Sequence, residues 1–107
     1  MRSGPTARSM SSERIEYWMM DEVKRYLEGT LLETTVDYFP RGTGSAVLFR
    51  VEGRPSHLSP RKLMYQLWID RSFFIRCDDR IALQSALETA DVAASMKKAG
   101  DKIVELH

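Results

Sequence analysis

The stretch that decides the fold is Thr30–Asp70, TLLETTVDYFPRGTGSAVLFRVEGRPSHLSPRKLMYQLWID. It contains three runs in which β-branched, aromatic and other apolar residues alternate with polar ones, and glycine and proline separate these runs. Alternation with a period of two is typical of strands that have one buried and one solvated face. We therefore predict strands over Thr30–Phe39, Ala46–Glu52 and Arg61–Asp70, joined by turns at 40–45 and 53–56.

The third of these strands has a competing interpretation. Apolar residues occupy every second position of Arg61–Asp70, which favours a strand. Ser59 followed by Pro60 is also a common start of a helix, with serine as the cap and proline at the first helical position. The strict alternation over eight residues decides for the strand.

A helix is predicted before the strands, over Glu13–Glu28. Its apolar residues recur at every fourth position from Ile15 to Leu27, and Gly29 follows as a terminator. Ser12 is placed to cap the first turn. The residues predicted to form the solvated face are Glu22, Lys24, Arg25 and Glu28.

A second helix is predicted after the strands, over Arg80–Ala99, with Gly100 closing its last turn. Thr89 or Asp91 is an alternative end within it, because both residue types favour helix ends and would divide it into two shorter helices. The predicted apolar stripe consists of Leu83, Leu87, Ala90 and Ala94.

Two short segments complete the chain. Arg71–Cys77 is either a short fourth strand or an irregular connection, and Lys102–Leu106 is a short strand or a tail on a sheet edge. The element order α-β-β-β-(β)-α-β predicts an α+β two-layer sandwich, in which two helices cover an antiparallel sheet of three or four strands. Residues 1–12, rich in serine and without acids, are predicted to be a disordered tail, and residues 13–107 a single domain.

Composition excludes several classes of protein. Sixteen basic and fifteen acidic residues give a net charge of +1, which is too balanced to indicate a nucleic-acid or membrane partner by itself. The single cysteine cannot form an intramolecular disulfide and fits a reducing compartment, so we expect a cytoplasmic protein. No apolar run is long enough to span a bilayer, and the first residues lack the apolar core of a secretion signal.

The sequence contains no catalytic, metal-binding or cofactor-binding motif. Cys77 precedes two aspartates, whose negative charge disfavours a reactive thiolate. One cysteine and two histidines are too few for a typical metal site, and the segment 42–45, GTGS, lacks the lysine of a phosphate-binding P-loop. We therefore expect a protein that is not an enzyme and that uses neither a metal nor another cofactor.

The sequence does offer a candidate interaction surface on the third strand. The chain has more large aromatic side chains than a two-layer core of this size must bury, and Trp68 is among them. If the strand is correct, one of its faces is a half-exposed stripe of Lys62, Met64, Gln66 and Trp68. The sequence thus predicts a small module that binds a protein partner. A second copy of the same chain is one candidate for that partner.

An alternative function is the binding of nucleic acid or a phosphate ligand through basic turns. Arginine forks match phosphate oxygens, and a glycine-rich turn can offer backbone N–H groups. The residues in question are Arg41, Gly42, Gly44, Arg54, His57, Arg61, Lys62 and Arg71. The two turns of a three-stranded meander lie at opposite ends of the sheet, which argues against one compact pocket. A small-molecule pocket lined by Tyr38, Phe49, Tyr65 and Leu87 is a third, weaker hypothesis.

Overall fold

A computed structural model describes residues 14–30, 32–42, 44–54, 56–58 and 60–107, so the predicted tail 1–12 lies outside the described residues. The elements in chain order are α1 (Tyr17–Glu28), β1 (Leu32–Arg41), β2 (Ala46–Arg54), β3 (Leu63–Asp70), α2 (Arg71–Phe74), α3 (Arg80–Thr89), α4 (Val92–Ala99) and β4 (Ile103–Leu106). The predicted α+β architecture is confirmed. Its two predicted helices become four among the described residues, because one divides and another forms in the segment after β3.

The strands form one sheet in the order β1-β2-β3-β4. β2 pairs antiparallel with both β1 and β3, whereas β4 runs parallel to β3. Parallel neighbours need a crossover connection, which the helices between β3 and β4 supply. The sheet is therefore antiparallel, as predicted, except at the β4 edge, and the fourth strand is the one predicted within Lys102–Leu106.

The alternation that predicted the strands separates two faces of the sheet. Val47, Phe49 and Val51 of β2 are buried, as are Tyr65 and Leu67 of β3. Phe49 lies opposite Leu67 and Val51 opposite Tyr65, so apolar side chains on the same face are cross-strand neighbours. The third predicted strand is thus confirmed, and the helix alternative for this segment is wrong.

A single core lies between the helices and one face of the sheet, which we call the covered face. It contains buried residues from α1, α2, α3, α4 and the first three strands, while Val104 and Leu106 of β4 pack against it. α1 packs against β1 and α3, and α4 packs against β3 and β4. The four residues considered as a pocket lining, Tyr38, Phe49, Tyr65 and Leu87, belong to this core or pack against it.

α1 begins later than predicted but ends at the predicted residue. Glu16 is its N-cap and makes no side-chain capping bond; instead its carboxylate accepts a hydrogen bond from Trp18 Nε1 at 2.6 Å. The predicted first residue, Glu13, and the predicted cap, Ser12, lie outside the described residues. At the other end, the backbone N–H of Gly29 donates to the carbonyl of Tyr26 at 3.2 Å.

The prediction that Glu22 lies on the solvated face of α1 is wrong. Its side chain is only 3% exposed, and it faces α3. Gln84 Nε2 donates a hydrogen bond to Glu22 Oε2, and Arg80 Nε lies 3.8 Å from Glu22 Oε1. A buried carboxylate is costly unless hydrogen-bonded or paired with a cation, so α3 supplies the groups that make this burial tolerable.

The predicted long helix is divided, as the alternative proposed, at Asp91. This residue has a φ of 52°, in the left-handed region that aspartate adopts more readily than most non-glycine residues. The break changes which side of the second half faces the core: Met96 is buried and Ala94 is exposed. The predicted apolar stripe is therefore correct for Leu83 and Leu87 but wrong for Ala94.

The segment Arg71–Cys77 begins with one helical turn, α2, so the prediction of a strand is wrong. Asp70 caps this turn by accepting hydrogen bonds from the Ser72 backbone N–H at 3.0 Å and the Ser72 hydroxyl at 2.8 Å. These bonds hold the pKa of Asp70 below its ordinary value. Phe73 and Phe74 are both buried, which the alternation of a strand with one wet face does not allow.

Candidate protein-interaction surface

The sheet has a second face on which no helix of the described chain packs. Successive side chains of a strand point to opposite sides, so residues between the buried positions project away from the core. We call this surface the open face. Its members are Thr35, Asp37 and Phe39 of β1, Leu48, Arg50 and Glu52 of β2, Met64, Gln66 and Trp68 of β3, and Ile103 and Glu105 of β4.

Strand register aligns three apolar residues in one row across the open face. Phe39 lies opposite Leu48, Leu48 lies opposite Trp68, and Glu105 of β4 ends the row. Phe39 is 40% exposed, whereas Leu48 and Trp68 are partly shielded by their neighbours. We call Phe39, Leu48 and Trp68 the apolar row. Met64 and Ile103, on the same face, are 47% and 50% exposed and extend the apolar surface.

Arg50 places a cation directly over the apolar row. Its Cζ lies 5.3 Å from the centre of the Phe39 ring, a cation–π contact between diagonal neighbours on β2 and β1. The side chain is exposed, and no carboxylate of the described residues lies within 4 Å of it. The guanidinium is therefore held by an aromatic ring rather than neutralised by an acid, and its N–H donors remain free for a partner to accept.

The remaining charges of the open face are acidic. Asp37 is the cross-strand neighbour of Arg50, Glu52 lies opposite Met64, and Glu105 lies opposite Trp68. The members of the open face thus carry three carboxylates and one guanidinium, while Arg41 of β1, Arg54 of β2 and Asp70 of β3 follow the same alternation at the two ends of the sheet, just outside this set. A shallow groove of about 190 Å³ runs over this part of the sheet, between Phe39 and Met64. A surface with this charge balance favours a protein partner over a polyanion.

The structure places three of the four residues of the predicted stripe together. Met64, Gln66 and Trp68 lie on β3 and project from the open face, while Lys62 is exposed just before β3 begins. The sequence interpretation did not include Phe39, Leu48, Arg50, Ile103 or Glu105 in this surface. Alternation within each strand already indicated their side of the sheet, but the register that aligns them is a property of strand pairing.

The residues of the predicted basic turns fall into two groups at opposite ends of the sheet. At one end, the N–H of Arg71 donates to the carbonyl of Ser45 at 2.9 Å, which brings Arg71 beside the turn that holds Arg41. At the other end lie Arg54, His57, Arg61 and Lys62. The strand between these ends is about 25 Å long, so the structure brings Arg41 close to Arg71 but not to Arg54.

Part of this basic set is already engaged within the chain. Arg54 Nε lies 2.8 Å from Glu33 Oε2, in an ion pair that joins the end of β2 to the beginning of β1. Gly42 and Gly44 have positive φ values of 59° and 87°, which the turn itself requires. The N–H of Gly44 donates to the carbonyl of Arg41 at 3.2 Å, so this donor serves the turn.

Cys77 lies in the core rather than at a reactive position. It is 5% exposed, its Sγ is 3.6 Å from the carbonyl of Phe73, and burial raises the pKa of its thiol. Among the described residues there is no group of three or more His, Cys, Asp or Glu side chains that could hold a metal ion. No helix in the described part of the chain has the length and apolarity needed to cross a membrane.

Comparison with protein-family models, with curated proteins and with solved structures finds no match. The open face is therefore characterised by its own geometry and charges: an apolar row, a cation above it, and carboxylates around it.

Proposed function

We propose that this domain is a non-enzymatic protein-interaction module whose binding surface is the open face of its sheet. The observation that carries the proposal is the apolar row, in which Phe39, Leu48 and Trp68 lie side by side across three strands on a face that no helix of the described residues covers. Contiguous apolar surface of this kind mostly marks an interaction site in soluble proteins.

The composition of the open face resembles that of the energetically important centre of an interface. Tryptophan, other aromatic residues and arginine dominate such centres, because they bury much surface with few rotatable bonds or offer several donors. The open face combines Trp68 and Phe39 with Arg50, and Gln66 lies beside them. Burial of apolar surface contributes about 25 cal/mol per Å², so covering this row favours association.

The charges of the open face determine the class of partner. Three carboxylates surround the one guanidinium of the open face, and the arginines at its margins, Arg41 and Arg54, lie at opposite ends of the sheet. This arrangement disfavours the phosphate backbone of a nucleic acid, whose binding depends on clustered cations. Mixed charges around an apolar centre suit a protein surface of complementary charge. The partner is therefore a protein that offers an apolar centre, an acid for Arg50, and neutral or basic groups for Asp37, Glu52 and Glu105.

Site-specific photo-crosslinking in the cells that produce the protein tests this proposal. A benzophenone side chain at Gln66, in the middle of the open face, is compared with the same group at Ser85, exposed on α3. We expect a covalent adduct of discrete mass from position 66 only. The adduct must also disappear when Trp68→Ala is combined with the probe, because this change removes the largest member of the apolar row.

Two outcomes would contradict the proposal. Equal adducts from positions 66 and 85 would show contact without preference for the open face. An adduct from position 66 that survives Trp68→Ala would show that the apolar row does not hold the partner. Circular dichroism of each variant verifies that the fold is retained.

A further inference from the structure

We infer that the protein bound by the open face is a second copy of this chain, packed face to face about a two-fold axis that runs parallel to the strands, between β2 and β3. This inference rests on the proposed function and names its partner. The observation behind it is that one orientation brings the apolar row onto itself and also brings Glu105 of one copy to Arg50 of the other.

The apolar row meets itself in this orientation. With a two-fold axis between β2 and β3, β2 of one copy faces β3 of the other, and β1 faces β4. Each cross-strand row of one copy faces the same row of the other copy, in reversed order. Leu48 of one copy then faces Trp68 of the second, and Trp68 faces Leu48. The centre of the interface is a cluster of two leucines and two tryptophans, which suits the aligned packing of two sheets about 10 Å apart.

One carboxylate of the open face, Glu105, also meets a cation in this orientation. The same operation places Glu105, at the β4 end of the apolar row, over Phe39 at the β1 end. The Arg50 guanidinium lies over the Phe39 ring, so in this dimer it is adjacent to the Glu105 carboxylate of the second copy. Two symmetric Arg50–Glu105 pairs result, and each uses a cation that has no carboxylate partner among the described residues of its own chain. His107 Nε2 lies 3.1 Å from Oε1 of Glu105, which leaves Oε2 for the pair with Arg50.

One alternative two-fold arrangement is less favourable. An axis perpendicular to the strands, through the row of Asp37, Arg50 and Gln66, would place Arg50 against Arg50 and Asp37 against Asp37. Like charges opposed across an interface cost several kcal/mol, which selects against this orientation. With the axis parallel to the strands, Arg50 faces Gln66, and Asp37 faces Ile103 near the edge of the sheet, where water can still reach the carboxylate.

The size of the open face sets the expected affinity. Four strands about 4.8 Å apart and about 20 Å long give a face of about 400 Å² in plan. Two such faces bury about 800 Å² in total, which is below the range of stable interfaces and typical of weak, transient contacts. We therefore expect a reversible dimer with a dissociation constant of about 1–100 μM, so that the fraction of dimer rises with protein concentration over this range.

Complementation between two charge-reversal variants tests the orientation. In a homodimer of the Arg50→Glu variant, a carboxylate at position 50 faces the Glu105 carboxylate of the other copy at both contacts. In a homodimer of the Glu105→Arg variant, two guanidinium groups face each other instead. Each substitution should therefore raise the dissociation constant at least about tenfold. In a mixed dimer of the two variants, one contact is the reversed pair and the other is the wild-type pair. The mixture should therefore recover the wild-type dissociation constant within about threefold.

The measurement is native mass spectrometry over a concentration series, with one variant labelled with ¹⁵N so that mixed dimers have a mass of their own. A matched control pairs Arg50→Glu with Glu52→Arg, because Glu52 faces Met64 of the second copy rather than Arg50. This control mixture should not recover. The double variant Arg50→Glu/Glu105→Arg should dimerise like the wild type, and thermal unfolding verifies that every variant folds.

Failure of this inference is distinguishable from failure of the proposed function. Wild-type dimers that Trp68→Ala abolishes, with no recovery in the mixture, would overturn the orientation and leave the open face as the binding surface. A wild-type chain that stays monomeric to about 1 mM, while position 66 crosslinks to a different protein, would overturn the second copy as partner only. A dimer unaffected by Trp68→Ala, together with an adduct from position 66 that also survives this change, would overturn both.

Discussion

Two adjacent rows of the same sheet differ chiefly in what lies over them. On the covered face, Tyr38, Phe49, Leu67 and Val104 align across the four strands; on the open face, Phe39, Leu48, Trp68 and Glu105 do so one residue further along. Three of the four residues are apolar in the second row, and all are apolar or aromatic in the first. Helices cover only the first row. This chain therefore builds an apolar row on each face of its sheet, and its described helices cover one of the two.

The largest expected difference between the faces is in stability, and two phenylalanines measure it. Phe49 is fully buried on the covered face, so Phe49→Ala should lower the free energy of unfolding by about 3–5 kcal/mol. Phe39→Ala, the same chemical change at a 40% exposed position of the open face, should cost less than about 1.5 kcal/mol. Urea denaturation of both variants gives the two values.

Because a domain of this size has a total stability of about 5–15 kcal/mol, Phe49→Ala can leave little folded protein. Phe49→Leu is the milder companion variant and should still cost more than Phe39→Leu. Equal losses at the two positions would mean that the open face is packed as tightly as the covered face within the isolated chain, and the contrast between the faces would disappear.

Two glutamines provide a second, smaller contrast. Gln84 donates a hydrogen bond to the buried carboxylate of Glu22, so Gln84→Ala leaves that acceptor without this donor and should cost about 1–3 kcal/mol. Gln66 lies on the open face, where Gln66→Ala should change stability by less than about 0.5 kcal/mol. Thermal unfolding at one pH measures both, and the double variant Glu22→Leu/Gln84→Leu should recover part of the loss. A Gln84→Ala variant as stable as Gln66→Ala would refute the role of this hydrogen bond.

The smallest expected effect is a pH dependence at the end of β3. The Ser72 backbone N–H and hydroxyl lower the pKa of Asp70 in the folded state, so ionised Asp70 stabilises the fold. For a depressed carboxyl pKa, this stabilisation is complete above the unfolded-state value of about 3.9 and is lost as the pH falls through the folded value. The melting temperatures of the wild type and Asp70→Ala should therefore differ above about pH 5 and converge toward about pH 2. A constant difference across this range would contradict the capping role of the carboxylate.

Local patterns encode much of this fold. The alternation of Tyr65, Leu67 and Ile69 is sufficient to predict β3 and its buried face, because a period of two has no other regular structure that would bury those residues together. The end of α1 at Gly29 and the helix break at Asp91 are local as well. These features depend on residues within one element, so the sequence of that element contains the information.

Features that depend on two distant elements were not predictable in the same way. The burial of Glu22 depends on Gln84, which lies 62 positions further along the chain, and the sequence of α1 contains no signal for this contact. The apolar row depends on the registers of two strand pairs, and β1 contains an irregularity between Leu32 and Thr35 where Glu33 adopts a φ of 50°. A shift of one residue in either pairing would move Phe39 or Trp68 to the other face. The sequence thus indicated the β3 part of the candidate surface, and strand pairing supplied the rest.

Light scattering after size exclusion, over a range of protein concentrations, shows whether the open face binds a second copy of the chain. We predict that the wild-type mass rises from 12.3 kDa toward twice that value, also at about 0.5 M salt, where the Debye length is about 4 Å. Trp68→Ala should stay at the monomer mass, and the control Arg61→Ala/Lys62→Ala should behave like the wild type. A Trp68→Ala variant that associates as strongly as the wild type, or a wild type that remains at 12.3 kDa throughout, would contradict the account.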